Sequence, residues 1–118
     1  MNNEIISIAH FKIHPGKGQY MKDIFDEAVK MVANEEPDTL SFKLYSNDDE
    51  SVFTFFEVYR DSEAVITHFG LSQDRIQRVL AAGDLIGSEL YGNVSKELRD
   101  LTSEYGTKYY KFHGSYVR

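Results

Sequence analysis

Apolar and polar residues alternate along this chain in two rhythms, and they meet in the stretch Val52 to Phe69, VFTFFEVYRDSEAVITHF. From Val52 to Tyr59 the side chains divide between the two faces of a strand. Val52, Thr54, Phe56 and Val58 share one face; Phe53, Phe55, Glu57 and Tyr59 share the other. A half-buried strand shows one apolar and one polar face, yet here both are apolar or aromatic. The strand is therefore expected to be covered twice, once by the protein's own helices and once by a second subunit.

The same period-two rhythm marks Glu4 to His14, with Ala9, Phe11 and Ile13 on one face and Ile8, His10, Lys12 and His14 on the other. Pro15-Gly16 ends it in a turn. From Lys17 to about Asn34 the period changes: Met21, Ile24, Phe25, Ala28 and Val32 form one helical stripe. Lys22 with Asp26, and Asp26 with Lys30, make i,i+4 pairs on the opposite side. Glu35-Glu36-Pro37-Asp38 breaks this helix.

Thr39 to Ser46 predicts a second strand with Leu40, Phe42 and Leu44 facing inward, joined by the polar turn Asn47 to Glu50 to the strand at Val52 as a hairpin. Asp61 is suited to cap a helix that runs through Phe69 and ends at Gly70. Ser72 is suited to cap another, with Ile76, Val79 and Leu80 on one side and Gly83 as its stop. Ser88 to Val94 predicts a further strand. Ser95 opens a short helix carrying Leu98, Leu101 and Tyr105, ended by Gly106. Lys108 to Val117, KYYKFHGSYV, predicts a terminal strand.

The resulting order implies an α+β fold of ferredoxin-like type, βαββαβ, with an antiparallel sheet and helices on one face. Neither a repeat nor a linker divides the chain, so residues 1–118 are expected to form one domain, with a core over about 4–94 and an appended helix and strand over 95–118. An exposed apolar sheet face is an aggregation hazard, and a homodimer joined through that face removes it.

Composition narrows the functions. The 118 residues carry a formal charge of −6 without any basic run, which argues against nucleic acid as a partner. No apolar run approaches the length of a membrane span. The amino end, MNNEIISIAHF, lacks the basic-then-apolar pattern of a secretory signal. Cysteine is absent, which removes disulfides and thiolate catalysis and accords with a reducing compartment. A cytoplasmic location is the expectation.

Three groups of residues carry a family resemblance: Phe11-x-x-x-Pro15-Gly16, Glu36-Pro37, and Phe56-Glu57-Val58-Tyr59-x-Asp61-x-x-Ala64-x-x-x-His68. Together they resemble the antibiotic biosynthesis monooxygenase family, best from about Ile5 to His68 and more loosely beyond. The resemblance implies a dimeric α/β barrel built from ferredoxin-like protomers. It fixes no single activity, because the superfamily includes cofactor-independent oxygenases, haem-degrading enzymes, isomerases and proteins with no known reaction. The haem-degrading branch is disfavoured: the chain has no Trp, and the segment after Ser72 offers Gln73, Asp74, Arg75, Gln77 and Arg78 but no His.

Cofactor-free oxygenation asks for a base that deprotonates a phenol or hydroquinone, and for an apolar pocket around the ring. His68 shares a helical face with Ala64 and Val65, and is the candidate base. Glu57, if buried, either orients the imidazole or takes a proton itself. Phe53, Phe55, Tyr59 and Phe11 are the candidate ring contacts. Each also has a purely structural reading: His68 as a capping or surface residue, Glu57 as an ion-pair partner across a dimer interface, the aromatics as core. Tyr59, Tyr109 and Tyr110 equally suit an interface.

No metal or cofactor is called for. His10 and His14 share a strand face, but four residues span about 13 Å at strand rise, whereas two zinc-bound nitrogens lie about 3–4 Å apart. Phosphate loops, HExxH motifs and nucleophile elbows are missing, and nothing supports flavin or nicotinamide. The sequence thus points to a cofactor-independent monooxygenase acting on a small aromatic or quinol. An isomerase using the same two groups, or a non-catalytic dimeric binding protein, are the alternatives.

Overall fold

The computed structural model describes residues 2–118. The chain runs β1 (Ile5–Ile13), α1 (Gly18–Glu35), β2 (Thr39–Ser46), β3 (Val52–Tyr59), α2 (Ser62–Leu71), α3 (Gln73–Ala82), β4 (Gly83–Tyr91) and α4 (Lys96–Thr102). A single 3₁₀ turn, Ser103–Tyr105, leads to β5 (Lys108–Tyr110). The strands form one five-stranded sheet in the order β2-β3-β1-β4-β5. β1 pairs antiparallel with β3 and β4, β2 pairs antiparallel with β3, and the short β5 lies parallel to β4. This is the expected βαββαβ arrangement with one strand added. Within the chain the sheet is open, with β2 and β5 as its edges.

All helices lie over one face. Phe11, Met21, Ile24, Phe53, Phe55, Val79 and Ala82 form a core cluster under α1 and α3. Ile5, Tyr59, Ala64, Val65, Leu90 and Leu98 form a second under α2 and α4. The predicted inner face of β3 is the one the helices cover: Phe53, Phe55 and Tyr59 are buried, while Val52, Thr54, Phe56 and Val58 keep part of their surface open. Asp61 caps α2 as expected, its carboxylate accepting from the Ala64 N–H at 2.9 Å. Arg78 of α3 holds α1 through a fork onto both carboxylate oxygens of Glu27, at 2.7 and 3.1 Å.

The structure departs from the sequence pattern at several points. A bulge between Thr39 and Ser41 turns Leu40 away from the core, so Leu40 is 43% exposed rather than inward. Lys22 reaches past Asp26 to Glu50 in the β2–β3 turn, at 2.8 Å. Gly70 does not stop α2, because its backbone continues helically to Leu71 and α3 follows after Ser72 alone. Ser72 occupies the cap position of α3 but makes no capping hydrogen bond with its side chain.

β4 begins at Gly83, earlier than expected, since Gly83 is already extended (φ −163°, ψ 167°) and pairs with Ile13. The terminal strand is only Lys108–Tyr110, and residues 111–118 run on without secondary structure, exposed along their length. Tyr110 stacks on Tyr91 with ring centres 4.9 Å apart. Gly92 enables the sharp exit from β4: its φ is +126°, and a Cβ there would lie 2.4 Å from the Glu4 carbonyl oxygen.

Candidate active site

The seam between the two core clusters is not filled. A cavity of ≈ 180 Å³ lies there between sheet and helices. Phe11, Phe42 and Phe55 contribute its aromatic wall, and His68, Glu57, Ser72 and Arg75 its polar groups.

Glu36 ends α1, its N–H bonded to the Val32 carbonyl, and Pro37 prevents the helix from continuing. A carboxylate at a helix C-terminus is opposed by the helix dipole, and this one is only 2% exposed. Its partners offset that double cost. Thr39 Oγ1 donates to Oε1 at 2.7 Å, and His68 Nδ1 lies 2.8 and 3.1 Å from the two carboxylate oxygens. Burial pushes the Glu36 carboxyl up, but these hydrogen bonds and the nearby charges of His68 and Arg75 outweigh it and hold the group below its ordinary range.

An ionised carboxylate only accepts, so the proton between the two residues belongs to His68 Nδ1. That leaves Nε2 of the neutral ring as the basic atom. The ring lies between those of Phe42 and Tyr59, with centroids 5.3 and 5.6 Å away. Nε2 is 3.3 Å from Ser72 Oγ, one helical turn along the chain. Arg75 Nη2 donates to the same Ser72 oxygen at 3.2 Å, and its Nε is buried without a partner among the described residues.

Glu57 faces the same cavity from β3 and accepts a hydrogen bond from the Tyr59 hydroxyl. Burial pushes its carboxyl above the usual range against the opposing pull of His68 and Tyr59. Burial also raises the Tyr59 hydroxyl well above its ordinary value, with the Glu57 charge acting in the same direction. The site therefore has two acids of opposite tendency: Glu36, behind His68 and outside the cavity lining, is kept ionised, and Glu57, on the lining, is kept protonated to higher pH.

Of the residues singled out from the sequence, His68, Glu57, Phe55, Tyr59 and Phe11 line this cavity, and Phe53 does not. Phe53 is packed solid in the core at 1% exposure. Glu57 and Tyr59, which also suited an interface, both line the cavity within the protomer, and Tyr59 is fully buried. Tyr109 hydrogen-bonds Thr102 within the chain. His10 and His14 turn to separate partners, Thr54 with Glu89 and Asp84 respectively. Sequence reasoning missed Glu36, Ser72, Arg75 and Phe42 as site residues. An acid at the last position before a helix-ending Pro was the available signal for Glu36, and the i,i+4 spacing of His68 and Ser72 for the serine.

Fold and cavity together define a class: an α+β domain with one layer of helices over a mostly antiparallel sheet, and an imidazole in the wall of an apolar cavity, backed by a buried carboxylate. Residues 4–73 match the family described as antibiotic biosynthesis monooxygenase, and the chain belongs to that family. No curated protein matches it by sequence. Among solved structures it resembles MupZ from Pseudomonas fluorescens, with a TM-score of 0.85 at 15% identity over 99% of this chain and 96% of that one. SnoaB, a cofactor-independent oxygenase from Streptomyces nogalater, aligns with a TM-score of 0.67 at 14% identity over 80% of this chain and 96% of its own. Rv0793 from Mycobacterium tuberculosis aligns at 0.62 with 20% identity, over 74% and 89% of the two chains. At such identities these likenesses show the shared fold.

Proposed function

We propose that the protein is a cofactor-independent monooxygenase that oxidises a single-ring phenol or hydroquinone with molecular oxygen, as a homodimer joined through the open face of the sheet. The observation that carries this reading is the placement of His68: its Nδ1 is engaged by Glu36 while the ring stands among aromatic walls in an otherwise apolar cavity. The cavity of ≈ 180 Å³ is slightly larger than the void of about 150 Å³ that accepts benzene. That size favours one ring over a fused polycycle.

In this reaction His68 Nε2 takes the phenolic proton, and the phenolate gives electrons to oxygen more readily than the neutral phenol does. A carbon–oxygen bond forms on the ring, and the resulting hydroperoxide loses water to leave a quinone. One oxygen atom enters the product and the other leaves as water, with the substrate supplying all the electrons. Glu57, protonated above the usual pH range, is suited to deliver the proton that the departing oxygen needs. Membership of the family and the fold shared with SnoaB support the oxygen chemistry. The test is oxygen uptake by metal-free protein across a panel of hydroquinones and phenols. Turnover that falls at least about 100-fold in His68→Ala is expected; no turnover across the panel, or unchanged turnover in the variant, overturns the reading.

A second reading rests on the opposed tendencies of Glu36 and Glu57. A base at His68 and an acid at Glu57 in one cavity also suit a proton shuttle that isomerises a substrate. Conversion that proceeds unchanged without oxygen distinguishes it.

A further inference from the structure

Ser72 is unexplained by the fold. It sits at the cap position of α3 yet caps nothing, its hydroxyl being turned to His68 and Arg75 instead. It is 3% exposed and lines the cavity. Glu36 is similarly placed where a helix gains nothing from an acid.

Four side chains, Glu36, His68, Ser72 and Arg75, form a directed series. Glu36 only accepts, so His68 Nδ1 donates to it, at 2.8 Å. Arg75 only donates, so Ser72 Oγ accepts from Nη2 at 3.2 Å. The hydroxyl hydrogen of Ser72 is then free for the acceptor beside it, His68 Nε2 at 3.3 Å. A serine hydroxyl pointed at an imidazole, whose far nitrogen is held by a carboxylate, is the arrangement that activates a serine nucleophile. Distances slightly beyond ordinary hydrogen-bond length are common before a substrate is bound.

We propose that Ser72, His68 and Glu36 form an acyl-transfer triad, and that the protein hydrolyses small apolar or aryl esters in the same cavity. Ser72 Oγ bonds to the ester carbonyl carbon while its proton passes to His68 Nε2. The tetrahedral intermediate collapses by breaking the bond to the alkoxy oxygen, which leaves as an alcohol carrying that proton. Water, deprotonated by the same Nε2, then attacks the acyl-serine and releases the carboxylic acid, restoring Ser72. Glu36 holds the imidazole in the tautomer that makes Nε2 basic and stabilises the imidazolium formed in each half. Arg75 lines the cavity with a buried, unpartnered Nε–H beside a guanidinium already fixed on Ser72, so it has a donor and a charge to offer the developing oxyanion.

This reaction consumes no oxygen and does not rest on the oxygenase reading. It is tested anaerobically on the full chain with two probes, p-nitrophenyl acetate for turnover and an alkyl fluorophosphonate for trapping. The expected results are p-nitrophenol release with a burst of about one equivalent per chain, and a single phosphonyl adduct that peptide mass mapping places on Ser72. The adduct disappears in His68→Ala, and steady release falls at least about 100-fold in Ser72→Ala. Glu36→Gln slows adduct formation without moving its site, which a merely packing role for Glu36 does not require. An adduct elsewhere, no adduct, or release unchanged in Ser72→Ala overturns the proposal. Mapping on the native chain decides the matter even if the Ser72 variant fails to fold.

Discussion

His68 Nδ1 lies 2.8 Å from Oε1 of Glu36, joining α2 to the end of α1 across 32 positions of sequence. The contact fixes which nitrogen of the ring carries the proton and leaves the other facing the cavity. It is also a stability element, because a carboxylate only 2% exposed has no water to replace a lost partner.

Glu36→Gln removes the charge and keeps the shape. An amide at that position can donate to Nδ1 as readily as accept, so the tautomer is no longer enforced. Turnover is expected to drop by about 10²–10⁴-fold in whichever reaction His68 serves, with about 2 kcal/mol of stability lost at neutral pH. The Glu36 carboxyl is held below its ordinary range in the folded state. Its contribution is therefore present above the unfolded carboxylate's pKa of about 4.3 and fades as pH falls through the folded value. Urea melts of the two proteins should accordingly converge in acid.

Glu57→Gln should behave in the opposite sense. Burial raises the Glu57 carboxyl, so the folded state favours its neutral form. That preference stabilises the fold below the unfolded pKa of about 4.3 and is lost as pH rises through the folded value. Gln cannot ionise and still accepts from Tyr59. The variant is expected to melt close to the native protein at pH 4 and above it at pH 8. A lower melting temperature at pH 8 would show that the charged form is the one the fold favours.

Gly92→Ala should be among the costliest single substitutions outside the core. The backbone there has φ +126°, and the new Cβ would meet the Glu4 carbonyl oxygen at 2.4 Å. Backbone strain alone costs about 1–3 kcal/mol, and the displaced Glu4 disturbs the start of β1. Thermal melts check this, and Gly114→Ala, with open space around the new methyl, is the neutral control.

The homodimer proposed above is tested on the open face of the sheet. Ile8 and Phe56 are register partners there, each partly open within the single chain. Phe56→Glu is expected to convert a dimer to a folded monomer in sedimentation velocity, with its far-UV spectrum intact. A native chain that sediments as a monomer at all concentrations would remove the dimer from the account.

The sequence by itself determined which residues face the helices. The alternation of Val52 to Tyr59 put Phe53, Phe55, Glu57 and Tyr59 on one side, and the structure keeps them there. Asp61 as a cap, Gly106 as a stop in the left-handed conformation and the βαββαβ order are local matters, set by side-chain period and backbone preference. Such signals act over a few residues, so they say what a segment is without saying what it meets. Tertiary structure decided the rest. Helix packing carried α2 past Gly70, and the register with β3 pushed Leu40 out at a bulge. Only the tertiary fold, which sets the end of α1 against α2, brought Glu36 to His68, and with it the choice of which ring nitrogen carries the proton.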